Sequence, residues 1–244
     1  MTEIYTGSQS VFEKTNVIVG KKDWYFFGDN LEDYLGTNRF SGAELEKIRH
    51  LLVSESNWLK EQGIEFYFVV IPNKATVYSE YMPDKYKQGS RQRITQLYDY
   101  LSTNSDLQMI DIRDELQAAK SSDTQLYYRL DTHWNQHGGF VGFQKISETI
   151  HASFPSLRVL NKSDFQIDYY EAYLKDQAWY LGYYDTFYQE GPVYTYKGSS
   201  GALLDSIKPY PIAYGGVWQF GYQYPDGYSE GCLSCEYSSD QTSA

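Results

Sequence analysis

The sequence predicts an α/β fold with a mostly parallel sheet covered by helices on both faces. Three observations carry this expectation. A helical stripe at about 42–62 ends at Gly63. An apolar run, Ile64 to Ile71 (IEFYFVVI), follows at once and stops at Pro72. Helix and strand signals then alternate as far as about residue 152. Short apolar strands separated by helical segments of this length build parallel sheets.

Residues 17–27 (VIVGKKDWYFF) read as two strands around a Gly-Lys-Lys-Asp turn, and Gly28-Asp29-Asn30 breaks the second. Ser41 and Glu44 form a capping box, and Leu45, Ile48, Leu52 and Leu59 follow at helical spacing with Leu51 and Trp58 flanking them. Gly63 suits the left-handed position that closes such a helix. A second helix is expected over 90–103, with Ile94, Leu97 and Leu101 inward. A strand over 108–112, a short helix over 113–120 and a strand near 124–129 come next. Gly138 and Gly139 are expected to open a helix of about 139–152, with Phe140, Phe143, Ile146 and Ile150 on its inner face. Beyond Pro155 the pattern changes. Residues 165–200 are Tyr-rich with weak periodicity, and from Gly215 onward apolar periodicity vanishes. The division expected is one α/β domain over 1–214 and an irregular or disordered tail over 215–244.

Composition narrows the function. Apolar residues make up 41% of the 244, enough for a sizeable core. The net charge of −11, with no dense Lys/Arg stripe, disfavours nucleic acid and anionic lipid as partners. No apolar run approaches the roughly 20 residues that span a bilayer, and the first residues lack signal-peptide character. Aromatic residues reach 18%, with 26 Tyr. Rings with polar tips suit a half-wet, carbohydrate-facing cleft, although a Tyr-rich composition has other origins. Cys232 and Cys235 form a lone CxxC with no His nearby, which leaves a disulfide, a redox pair or idle thiols open.

The densest chemistry is Asp131-Thr132-His133-Trp134-Asn135, placed between a strand signal and a helix-opening Gly pair. An Asp two residues before a His in a tight loop can accept from its Nδ1–H, leaving Nε2 as a general base. Trp134 offers a wall or a sugar-stacking face, and Asn135 a donor. A bare D-x-H more often reads as a helix cap beside a surface histidine. His133 and His137 stand four apart, but Gly138-Gly139 argues against one helix through both, so metal is not expected. His50 and His151 read as solvated or structural. Asn73 and Lys74 end the strongest strand, where they either contact substrate or merely turn the chain.

Taken together, residues 19–29 (VGKKDWYFFGD), 66–78 (FYFVVIPNKATVY) and Asp131-Thr-His-Trp-Asn135 resemble the SGNH-hydrolase-like domains of the AlgX/AlgJ type, the alginate O-acetylation proteins. The resemblance spans roughly residues 17–195. It implies a flavodoxin-like three-layer sandwich. It implies an O-acetyltransferase or acetylesterase acting on an exported polysaccharide such as alginate in the bacterial envelope, periplasmic or otherwise extracytoplasmic. It makes Asp131 the orienting carboxylate and His133 the base, with an acetyl donor or membrane-bound acetyl-transfer partner and no cofactor. Asn73, Lys74, Trp134 and Asn135 are then the substrate-facing candidates. The family's serine follows an apolar strand in an Asp-Ser-Phe or Asp-Ser-Tyr turn. No such turn occurs here. Ser229 has the right separation from His133 but lacks the strand, and Asp205-Ser206 comes too early. The expectation is therefore an incomplete copy of the domain, or, in the alternative, a carbohydrate-binding module of the same fold without catalysis.

Overall fold

In the computed structural model, residues 16–121, 124–173, 176–181 and 188–198 are described. The chain opens with an antiparallel pair, β1 (Val17–Val19) and β2 (Tyr25–Phe27), in register Val17↔Phe27 and Ile18↔Phe26. Lys22 and Asp23 adopt positive φ in the turn between them. A 3-10 turn over Gly28–Asn30 leads into the short helix α1 (Leu31–Leu35).

Helix α2 (Gly42–Glu61) begins where the capping box places it. Ser41 Oγ accepts from the Glu44 amide, and the Glu44 carboxylate accepts from the Ser41 amide at 2.8 Å. Gly63, at φ +74°, follows its end. Leu45 packs with Leu97 and Leu101 of α4 (Arg93–Asn104), while Leu51 and Trp58 face outward. Strand β3 (Tyr67–Val69) lies parallel to β4 (Gln108–Ile110), with Phe68 opposite Met109. Between them come α3 (Lys74–Val77) and α4, and after them α5 (Arg113–Ala119).

Two sequence expectations need correction. The segment near 124–129 is not a strand. Among the described residues it makes only the isolated bridge Tyr127↔Trp134. Its polar groups are engaged by its own loop and by side chains. The Leu126 amide donates to Tyr78 Oη (2.9 Å), the Leu126 carbonyl accepts from the Asn135 amide (2.9 Å), and Tyr127 Oη donates to the Pro72 carbonyl (2.6 Å). A segment so satisfied has nothing left for a ladder. The α/β character holds, but among the described residues the parallel sheet is the single β3–β4 pair, beside two antiparallel pairs.

The second correction concerns α6 (Gln136–Ser153), which starts before the glycines. Its buried residues are His137, Gly138, Gly142 and Ser147; of the expected inner face Ile146 does pack on the main core, while Phe143 is exposed. A Cβ at Gly138 would stand 2.3 Å from the Leu126 carbonyl oxygen, and one at Gly142 would stand 3.1 Å from the Trp134 ring. The two glycines let the helix press against the 126–134 loop. Phe140 turns aside to stack on Tyr194. Tyr194 belongs to a nine-residue antiparallel hairpin, β5 (Phe165–Tyr173) and β6 (Tyr188–Tyr196), which brackets the short helix α7 (Asp176–Tyr180). The main core gathers Trp24, Phe26, Tyr78, Ile110, Ile112, Leu116, Leu126 and Tyr127. The expected tail over 215–244, with Cys232 and Cys235, lies outside the described residues.

Candidate functional site

The loop from Leu126 to Asn135 is closed on itself and pinned from three sides. Internally, the Tyr128 amide donates to the His133 carbonyl (3.2 Å). From the β1–β2 hairpin, the Tyr25 amide donates to the Arg129 carbonyl (2.9 Å). From β6, Gln189 Oε1 accepts from the Arg129 amide (2.9 Å). From α3, buried Lys74 Nζ donates to the carbonyls of Tyr128 (3.0 Å), Arg129 (3.1 Å) and Asp131 (2.7 Å). Asn135 caps α6 by accepting from the His137 and Gly138 amides, and its Nδ2 donates to the Gln125 carbonyl (2.7 Å).

This frame presents Asp131 and His133 to each other. Asp131 is buried, and its Oδ1 meets both the His133 amide (2.9 Å) and His133 Nδ1 (2.7 Å). The His133 side chain remains 56% exposed. Its pKa is raised above the ordinary value, first by the Asp131 hydrogen bond and then by the Asp131 and Asp176 charges, against partial desolvation. For Asp131, burial works to raise the pKa, but the two hydrogen bonds from His133, its charge and that of Lys74 outweigh it and hold the carboxyl low. The ionised carboxylate therefore selects the tautomer with a proton on Nδ1 and leaves Nε2 with the free lone pair.

A second carboxylate stands beside the pair. Asp176 accepts from the Thr132 amide (2.8 and 3.0 Å) and from Thr132 Oγ1, and lies 3.7 Å from His133 Nδ1. Its own pKa is raised by burial and by the Asp131 charge. Donor atoms of Asp131, His133 and Asp176 come within 4.8 Å of one another, the spacing of a possible cation cluster. Here hydrogen bonds account for each of them: Asp131 on His133, and Asp176 on Thr132. Sequence reasoning missed Asp176. It sits in the Tyr-rich stretch without periodicity, 44 residues from Thr132, and no local signal marks it.

A cleft of about 350 Å³ opens at His133, with Trp134, Phe26, Phe27, Tyr34 and Tyr180 in its wall. Trp134 thus both lines the cleft and packs on α6. Asn73 also lines it and reaches Asp33 at 3.4 Å. Lys74 also lines the cleft, whereas Asn135 does not. Both are buried, and their polar groups are held by the protein's own backbone. His137 stands apart, inside α6, between Tyr194 Oη (2.6 Å from Nδ1) and Tyr169 Oη (3.0 Å from Nε2). Ser229 lies outside the described residues.

Residues 17–178 match the model of the SGNH hydrolase-like domain of the acetyltransferase AlgX. The chain belongs to this family. The matched span holds the whole loop with Asp131 and His133, and Asp176 as well. The probable alginate O-acetylase AlgJ of Pseudomonas putida is 22% identical over 137 residues, 56% of this chain and 34% of the relative. The match therefore spans about a third of that relative's length. Among solved structures, Bacillus cereus PatB1 with a sulfonyl adduct superposes with a TM-score of 0.57 at 20% identity, over 74% of this chain and 56% of PatB1. Pseudomonas aeruginosa AlgX gives 0.50 at 18% identity, over 81% and 48%. At these identities the likeness is one of fold.

Proposed function

We propose that the chain carries the Asp–His half of an acyl-transfer site that moves or removes acetyl groups on a cell-envelope polysaccharide, alginate being the substrate class suggested by the AlgJ relative. The observation that carries the reading is the 2.7 Å contact from His133 Nδ1 to Asp131, on a ring whose other edge is open to a cleft. In such a site His133 Nε2 takes the proton of a serine hydroxyl as its oxygen attacks the acetyl carbonyl. It later returns the proton to the leaving oxygen. Asp131 holds the ring and stabilises the imidazolium between these steps. The nucleophile is the open part of this reading, and Ser229 is the candidate the sequence offers. Trp134 and Asn73, which line the cleft, are the candidates to contact the sugar in this reading. An extracytoplasmic location and a flavodoxin-like three-layer sandwich for the complete domain belong to the same reading. A non-catalytic carbohydrate-binding role is the second reading, favoured by the aromatic cleft wall.

The test compares acetate release from acetylated alginate and from 4-nitrophenyl acetate by the full chain and by its His133→Ala variant. Turnover that vanishes in the variant is expected. Glycan binding by calorimetry with no acetate release in either protein would instead favour the binding module.

A further inference from the structure

Lys74 sits at a crossing of segments that are distant in sequence. It comes from the first turn of α3, yet its ammonium lies among the carbonyls of Tyr128, Arg129 and Asp131, at 3.0, 3.1 and 2.7 Å. A fourth acceptor, Gln177 Oε1 of α7, stands at 3.3 Å. The rings of Trp24 and Phe26 lie 5.8 and 5.4 Å away on another side. Lys74 is 4% exposed and Gln177 is fully buried. An ammonium has three protons, and here protein acceptors take up all of them. So enclosed, the group has no donor to offer a substrate in the cleft.

The three carbonyls belong to the residues just before His133, and one of them is Asp131 itself. Three carbonyls from one four-residue stretch of loop repel one another when they converge on a point, because their dipoles oppose. A buried cation at the focus removes that cost and fixes the turn. The direction in which the Asp131 carboxylate leaves the backbone is set by that turn. We propose that Lys74 is a positioning residue: its buried ammonium gathers the carbonyls of Tyr128, Arg129 and Asp131 and thereby aims the Asp131–His133 pair at the cleft. The carboxylates of Asp131 and Asp176 face it from the loop and from α7, and both favour the charged form against the burial that lowers the Lys74 pKa to about 7.

The kinetic arm of the test rests on the acyl-transfer reading; the spectroscopic arm does not. In the full chain, Lys74→Met is expected to lower kcat by about 100-fold with KM held, the loss that an ångström of misplacement produces. A substrate-binding lysine would raise KM instead, and that result would overturn the proposal. By NMR, the His133 titration midpoint in Lys74→Met should fall towards the ordinary histidine value, because the Asp131 hydrogen bond is lost. Removal of a nearby positive charge alone would move it up, and a packing role alone would leave it in place; either result overturns the proposal. If Lys74→Met does not fold, 15N-lysine labelling of the unmutated chain decides. One lysine Nζ signal protected from exchange with water, and missing from Lys74→Arg, is expected. Free exchange at every lysine would refute the clasp.

Discussion

His133 and His137 are four residues apart and have opposite surroundings. The first stands on a loop, half in solvent, with one ring nitrogen on a carboxylate. The second is buried inside α6, with both ring nitrogens on tyrosine hydroxyls. Their pKa values move apart accordingly. Hydrogen bonding to Asp131 raises that of His133, and burial, with a smaller effect from Lys162, lowers that of His137. Burial also lifts the pKa of Tyr194 to about 12, so this partner stays neutral over the working range. The pair teaches that spacing along the chain says little about a histidine's task. The partner decides: an anion makes a base that can hold a proton, and two tyrosine hydroxyls make a strut.

The comparison can be broken by exchange of the histidines for other residues. The largest effect is expected from His133→Ala, with acetyl-ester turnover lost to background, at least about a thousandfold, and thermal stability nearly unchanged. Asp131→Asn should follow closely, with turnover down by about 10³-fold or more because the amide no longer selects the tautomer. Its His133 titration, followed by NMR, should drop towards the ordinary value. His137→Phe should reverse the pattern. The hydroxyls of exposed Tyr169 and partly buried Tyr194 lose their partner, at a cost of about 1 kcal/mol, or about 2–4 °C in Tm by calorimetry, while turnover persists. A His137 variant that kills turnover at unchanged Tm would erase the distinction.

The smallest effect is in the pH dependence of stability, and its sign differs between the two. The folded-state pKa of His133 lies above the unfolded value near 6.5, so its contribution is fully present below about 6.5 and is lost as pH rises through the folded pKa. The folded-state pKa of His137 lies below that value. The unfolded chain then binds more protons as pH falls below about 6.5, and stability declines there. Urea midpoints against pH should therefore flatten above 6.5 in His133→Ala and below 6.5 in His137→Phe.

Local signals in the sequence were reliable, and distant partners were not visible. The β1–β2 pair, α2 with its capping box, and the contact of Asp131 with His133 all arise within a few residues. Each needs only a turn, a cap or a two-residue offset. The 124–129 segment looked like a strand because Leu126 and Tyr127 are core residues, yet burial alone does not make a ladder. Asp176 is 44 residues from Thr132, and Tyr194 is 57 from His137. Nothing in the Tyr-rich stretch distinguishes these from their neighbours. Lys74 was marked by its place at the end of a strand, but the direction of its side chain depends on carbonyls more than fifty residues away.

The nine-residue pairing of β5 with β6 has a consequence for how the loop can be observed from outside. Side chains alternate across a strand, so a slip of one residue would swing Tyr194 off His137 and Gln189 off Arg129 together. The Arg129 amide is tied to the far strand of that hairpin, two residues before Asp131. Its rate of deuterium uptake is therefore a remote gauge of whether the hairpin is seated, legible without substrate and without any change to Asp131 or His133.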